Sequence, residues 1–214
     1  MPFDFKFVSP ECLIIFSRYP EPGKTKTRMI PALGKEGAAE LQRQMTEHTL
    51  YQARKLSLYR SLTVEVHFAG GDRQLMQEWL GSDVTYYQQG SGDLGQRMSS
   101  AIRRAFAVGM ARVVIIGTDC PDVNPFILTE AFDALKRQDL VLGPAEDGGY
   151  YLIGLNCPII ELFNQIQWGT DRVLAQTKNI AKKLSLSVHY LPILADVDRP
   201  EDLPVWHKFY SEDR

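Results

Sequence analysis

Apolar and polar positions along this chain alternate between strand-like and helix-like periods. Four consecutive β-branched residues, Val113 to Ile116, form an apolar run without alternation, as a strand buried on both faces of a mostly parallel sheet requires. Cys12 to Phe16 is a first strand, Leu62 to Phe68 a second and Val84 to Tyr87 a weaker third. Apolar residues recur at helical spacing from about Lys35 to Leu58, near Gln74 to Leu80 and from about Leu94 to Val108, with a loop over Ser17 to Pro31. After the central strand, Asn124 and Pro125 supply an N-cap and a first-turn proline for a helix over Pro125 to Lys136. Leu140 to Gly143 and Tyr150 to Leu155 are short strands around Glu146-Asp147-Gly148-Gly149, whose Asp-Gly step marks a tight turn and makes one of them antiparallel. A helix opening at Thr170, a strand around Val188 to Leu191, an acidic turn from Asp196 to Asp198 and a helix starting at Pro200 close the chain. The succession predicts an α/β layer fold with a largely parallel sheet.

Composition narrows the partners. A chain of 214 residues with 44% hydrophobic content suffices for one well-cored domain, residues 1–214, and is short for two. A formal net charge of −2 and the lack of a long basic run argue against a nucleic-acid footprint, so the expected partner is a small molecule. The start of the chain carries Asp4 and Lys6, and its first apolar run is too short for a signal-peptide core or a membrane span, which predicts a cytoplasmic protein. Cys12, Cys120 and Cys157 form no CxxC pair, which disfavours a disulfide scaffold or structural zinc. No sequence feature gives Cys120 a base, so it reads as a buried bystander.

Candidate chemistry collects at the predicted strand ends. In parallel sheets ligands bind beyond the carboxyl ends of the strands, which puts Asp119 at the mouth of a site as a ligand for Mg²⁺ or Mn²⁺ completed by substrate phosphates. Asp122 reads equally well as a turn residue. The loop Pro22-Gly23-Lys24-Thr25-Lys26-Thr27-Arg28 has phosphate-binding composition, with Lys24 and Lys26 as point charges, Arg28 as a bidentate fork and a backbone nest near Gly23. It is not a P-loop, because Arg18 stands where that motif needs glycine and Pro31 interrupts the helix that should follow. Gly90-Ser91-Gly92-Asp93-Leu94-Gly95 satisfies GxGxxG as a string, but follows a weak strand and has Ile115 where an acid should stand. Its glycines still allow close approach to a ligand, and a loop with a helix cap is the equal alternative. Asp147 is either a hairpin turn residue or, in its functional reading, an acceptor-binding residue or a general base. Asp196 and Asp198 follow a strand of the same sheet, and either converges on Asp119 only with a cation between them, since two carboxylates about 4 Å apart repel by about 4 kcal/mol.

Taken together, Phe16 to Met29, Gly92 to Met98, Gly117 to Asp122, Asp147 to Leu155 and Asp196 to Leu203 resemble the GT-A, or nucleotide-diphospho-sugar transferase, superfamily, and within it the small bacterial radical-SAM/selenodomain-associated glycosyltransferases. The resemblance implies a three-layer α/β/α sandwich with a mixed, mainly parallel, Rossmann-like sheet. It implies a nucleotide over the first strand end, at Ser17, Arg18, Gly23, Lys24, Lys26 and Arg28, with Gly92, Asp93 and Gly95 nearby, and a metal on Asp119 with Asp198 as second ligand. The activity it implies is metal-dependent glycosyl transfer from a nucleoside-diphosphate sugar to a small acceptor, with Lys24 and Arg28 stabilising the departing diphosphate and Asp147 as base. Nucleotidylyltransferases of the molybdenum-cofactor and phospholactate guanylyltransferase type share this layout and are the alternative, although Ser17-Arg18-Tyr19-Pro20 departs from their glycine-rich first loop. A nucleotide-binding regulatory protein without chemistry is a further alternative.

Overall fold

The computed structural model describes residues 11–212; Asp4 and Lys6 lie outside them. The strands are β1 (Glu11–Arg18), β2 (Thr63–Ala69), β3 (Thr85–Gln88), β4 (Arg112–Ile116), β5 (Leu140–Pro144), β6 (Tyr150–Leu155) and β7 (Val188–Tyr190). The helices are α1 (Ile30–Ser57), α2 (Arg73–Leu80), α3 (Leu94–Ala107), α4 (Pro125–Ala134), α5 (Val173–Lys183) and α6 (Leu203–Glu212). They build one seven-stranded sheet in the order β3-β2-β1-β4-β6-β5-β7. β6 pairs antiparallel with β4 and β5 while every other pairing is parallel, so six strands point the same way and end on one edge. This is the mixed, mainly parallel sheet that the sequence implies.

Both faces of the central strands are apolar because both are covered. Leu13 and Ile15 of β1 and Val114 and Ile116 of β4 pack against α1, α2 and α4 through Leu50, Met76 and Phe132. Cys12 and Ile14 pack on the other side with Met98 and Ile102 of α3 and Ala181 of α5. A smaller cluster joins Met29 and the start of α1 to Val197 and Trp206 of the C-terminal segment. Burying each large aliphatic side chain is worth about 1.5–3 kcal/mol, so a polar residue on either face of β1 would be costly.

Boundaries differ from the sequence reading where tertiary partners decide them. Ser17 and Arg18 belong to β1 rather than to the loop, because Phe68 and Ala69 of β2 continue the parallel pairing to that point. Pro31 sits in the first turn of α1, and the helix is broken at Gly34, whose φ of 72° only glycine adopts without strain, before resuming where the sequence predicts it to begin. Thr170 falls in a turn, its hydroxyl donating to the Gln167 carbonyl, and α5 starts three residues later. Pro200 opens a short 3-10 turn that leads into α6.

The edge opposite the strand ends is fastened by Glu11, which accepts hydrogen bonds from Arg60 at 2.6 and 2.9 Å and from Arg112 at 2.9 Å. These guanidiniums hold the buried Glu11 carboxyl below the usual range against the opposing effect of burial. Glu11→Ala leaves two arginines without their shared acceptor and is expected to cost about 3 kcal/mol, at the low end for a broken buried pair because both arginines reach water. A urea unfolding midpoint unchanged from wild type would exclude this role.

Candidate functional site

The ends of the parallel strands surround a cleft of about 590 Å³. Its floor is Gly117, Thr118, Asp119 and Cys120, the segment that leaves β4. At one end stand Phe16, Ser17 and Arg18 of β1 with Gln89, and Leu94, Arg97 and Met98 of α3. At the other stand Ala145 and Asp147 after β5, Tyr150 and Tyr151 of β6, and Asp196. Trp168 closes the α3 side, its ring 6.3 Å from that of Tyr150 in an edge-to-face arrangement.

Lys26 is the cation of the first loop that meets Asp119. Its ammonium donates to Asp119 Oδ1 at 2.7 Å and to the Val197 carbonyl, with the lysine side chain 3% and the aspartate 51% exposed. The Lys26 backbone is left-handed, with φ 45° and ψ 42°. That conformation costs about 1–3 kcal/mol in a non-glycine residue and is offset by two charge-assisted hydrogen bonds of about 1.5–3 kcal/mol each. Val197 N also donates to the Asp119 carbonyl at 2.8 Å, so the C-terminal segment is held against the end of β4 from both sides.

The other predicted phosphate ligands face elsewhere. Lys24 pairs with Glu21 at 2.6 Å and is 70% exposed, and Arg28 pairs with Asp198. Neither lines the cleft, and neither does Asp198; the nearby carboxylate that does is Asp196. Asp198 is fixed from behind, since Asp202 accepts from the backbone N–H groups of Asp198 and Arg199 at 3.0 and 2.7 Å. Gly23 lies against the Lys35 side chain. In the second loop Asp93 caps α3, its carboxylate accepting from Gln96 N at 2.8 Å while Gln96 reciprocates. Gly92 has φ 100°, as this turn requires. Gly95 serves packing, because a Cβ there would lie 2.6 Å from Trp168 Nε1 and 2.7 Å from the Phe163 carbonyl. Asp147 organises its turn, accepting from Gly149 N at 2.8 Å, and also lines the cleft.

Sequence reasoning missed the polar framework beneath the β1 end. Ser17 Oγ lies 2.9 Å from Thr46 Oγ1, Gln42 Nε2 donates to Thr46 at 3.0 Å and to Thr118 at 3.4 Å, and all four groups are buried or line the cleft. Gln89 donates to the His67 and Ser17 carbonyls at 2.9 and 3.3 Å, and Arg97 is anchored on the Gly92 carbonyl at 2.9 Å. The available signal was helical spacing: Gln42 and Thr46 are i, i+4 polar residues on an otherwise buried face of α1.

The carboxylates are electrically coupled. Burial first, then the charge of Asp147, raise Asp196 to about 6 from the ordinary aspartate value of 3.8, with smaller contributions from Asp202 and Asp119. The donors are all oxygens, which suits a hard cation. Among the described residues no three His, Cys, Asp or Glu side chains form a metal-holding group, so a cation here would need substrate or water oxygens as well. Burial raises the Cys120 thiol, and the neighbouring acids raise it further, which keeps it inert. Among the described residues no helix is long and apolar enough to cross a membrane.

Residues 52–170 match the family described as "Uncharacterized protein conserved in bacteria (DUF2064)". The chain belongs to this family. A crystal structure from Desulfovibrio desulfuricans G20, described provisionally as a nucleotide-diphospho-sugar transferase, is 34% identical over 96% of this chain and 89% of that one, with a TM-score of 0.87. The 4-diphosphocytidyl-2C-methyl-D-erythritol synthase of Anaerococcus prevotii DSM 20548 is 10% identical over 94% of this chain and 98% of that one, with a TM-score of 0.62. CMP:2-keto-3-deoxy-manno-octonic acid synthetase in complex with CTP is 10% identical over 95% and 99% of the two chains, with a TM-score of 0.58. The DUF2064 chain thus has the nucleotide-diphospho-sugar transferase fold, and no curated protein matches it.

Lys26→Met removes the donor from Asp119 and the Val197 carbonyl and is expected to cost about 2 kcal/mol, the penalty of leaving such groups unsatisfied; chemical denaturation reads the loss, and an unchanged midpoint overturns the assignment. For Asp196 the ionised form is disfavoured in the fold, so the penalty is absent below the unfolded value and complete above about 6. With divalent cations chelated, Asp196→Asn should therefore raise the melting temperature at about pH 8 and give no gain at about pH 4. A gain independent of pH would assign the effect to packing instead.

Proposed function

We propose that the cleft transfers a glycosyl group from a nucleoside-diphosphate sugar to a small acceptor, with the help of Mg²⁺ or Mn²⁺. The observation that carries this reading is the convergence of Asp119, Asp147 and Asp196 with Arg18 and Arg97 on one cleft at the carboxyl edge of the sheet. The 34% identical neighbour described as a nucleotide-diphospho-sugar transferase supports the donor class.

In this reading the donor lies over the end of β1, its base against Phe16 and Leu94 and its diphosphate toward Arg18 and Arg97. Arginine presents a planar fork that matches phosphate oxygens, and both arginines are rooted in regular elements. Asp119 and Asp196 would hold the divalent ion, which when bound neutralises charge developing on the departing diphosphate. Asp198, expected as the second ligand from sequence, is replaced in this role by Asp196, and the diphosphate contacts expected of Lys24 and Arg28 pass to Arg18 and Arg97. Lys26 positions Asp119. Asp147 accepts the proton of the acceptor hydroxyl as the acceptor oxygen bonds to the anomeric carbon and the bond from that carbon to the diphosphate oxygen breaks, so the charge leaves on the nucleoside diphosphate.

Calorimetry in the presence of Mn²⁺ tests the reading. Nucleoside diphosphates or their sugars are expected to bind tightly, and Asp119→Asn to weaken them tenfold or more, about 1.4 kcal/mol. A clear preference for nucleoside triphosphates would replace glycosyl transfer by nucleotidylyl transfer. Once a turnover assay is in hand, Asp147→Asn should lower kcat by about a hundredfold with little change in nucleotide affinity, and wild-type turnover would remove Asp147 as base.

A further inference from the structure

The two ends of the cleft differ in charge and in surface chemistry. Among the lining residues the cationic side chains are Arg18 and Arg97, on β1 and α3. Lys26 adds nothing to the open cleft, since its ammonium is buried on Asp119 and the Val197 carbonyl. At the end formed after β5 and at the start of β6, the charged lining residues are Asp147 and Asp196, accompanied by Tyr150, which Trp168 meets from the α3 side. The sheet order separates the β1 and β5 ends by three strand spacings, about 14 Å, which sets Arg18 apart from Asp147. With Asp196 given to the divalent ion, Asp147 is the carboxylate left to face an acceptor, and an anion placed beside it would be repelled.

The aromatic wall is independent of those carboxylates and is rigid. Trp168 is pressed onto α3 at Gly95, where a side chain would collide with it, and meets Tyr150 edge to face at 6.3 Å. A half-buried indole with a tyrosine at right angles offers a flat apolar surface beside hydrogen-bond acceptors. Hydroxyl-rich rings, with apolar C–H faces and polar rims, match both features. Phosphorylated or carboxylated molecules match only the first and would set a negative charge against Asp147.

Resting on the glycosyl-transfer reading, we propose that the acceptor is a sugar-like polyol without anionic groups, neutral or bearing an amine, seated on Trp168 and Tyr150 with its hydroxyls toward Asp147. This separates the acceptor from the phosphorylated substrates that nucleotidylyl transfer onto a phosphate would need.

The test uses the full chain with Mn²⁺ and saturating UDP or GDP, whichever calorimetry shows to bind. Saturation-transfer NMR is then recorded with glucose, glucosamine, glucose 6-phosphate and glucuronate as probes. Glucose and glucosamine are expected to receive saturation, with the two anionic probes at least tenfold weaker. Trp168→Leu should abolish the glucose signal while nucleotide affinity stays within about twofold, and Asp147→Asn should narrow the gap between glucose and glucose 6-phosphate. Glucose 6-phosphate binding as well as glucose overturns the proposal, as does silence from both uncharged and amino sugars once nucleotide is bound. Failure of both nucleotides to bind is seen first, in calorimetry, and removes the donor reading together with this one.

Discussion

The buried ammonium of Lys26 joins three segments that are remote in sequence. It ties the loop after β1 to Asp119 at the end of β4 and to the carbonyl of Val197 in the C-terminal segment. Val197 returns a hydrogen bond to the Asp119 backbone and buries its side chain with Met29 and Trp206. The position of Asp196, and with it the charge of the cleft, follows from this junction. A left-handed backbone at Lys26 is the local cost of delivering a long side chain inward from a surface loop.

The sheet supplies the second constraint. Parallel strands need crossovers on their faces, which is why Cys12 to Phe16 of β1 and Val113 to Ile116 of β4 are unbroken apolar runs, and they bring their carboxyl ends to one edge. β6 is the exception, entering from that edge after a tight turn. The reversal lets Tyr150 and Tyr151 begin a strand where their neighbours finish one, adding rigid aromatic wall to an edge otherwise made of loops.

Much of this arrangement is legible in the sequence. The unbroken β-branched run Val113 to Ile116 places Asp119 at a strand end, and the structure puts it on the cleft floor. The Asp-Gly step after Asp147 correctly announces the antiparallel strand. What composition does not encode is pairing. Three cations stand within five residues of the first loop, yet Glu21 takes Lys24 locally and Asp198, 170 residues away, takes Arg28. Asp196 and Asp198 look equivalent along the chain; the docking of Val197 between them is a tertiary event that sends one to the cleft and the other to Arg28. Arg97 and Gln89 carry no motif at all, because their roles come from carbonyls presented by β1, β2 and the turn before α3.

The margins of the sheet are short. β3 has four residues and β7 only three, and within β7 His189 is hydrogen-bonded to Glu130 at 2.8 Å and Tyr190 is covered by the Lys178 ammonium. A stray extended segment from another molecule would find few consecutive unpaired amides there, and charged neighbours beside them. A chain whose interior strands are this continuously apolar thereby avoids presenting a template for fibril-like stacking.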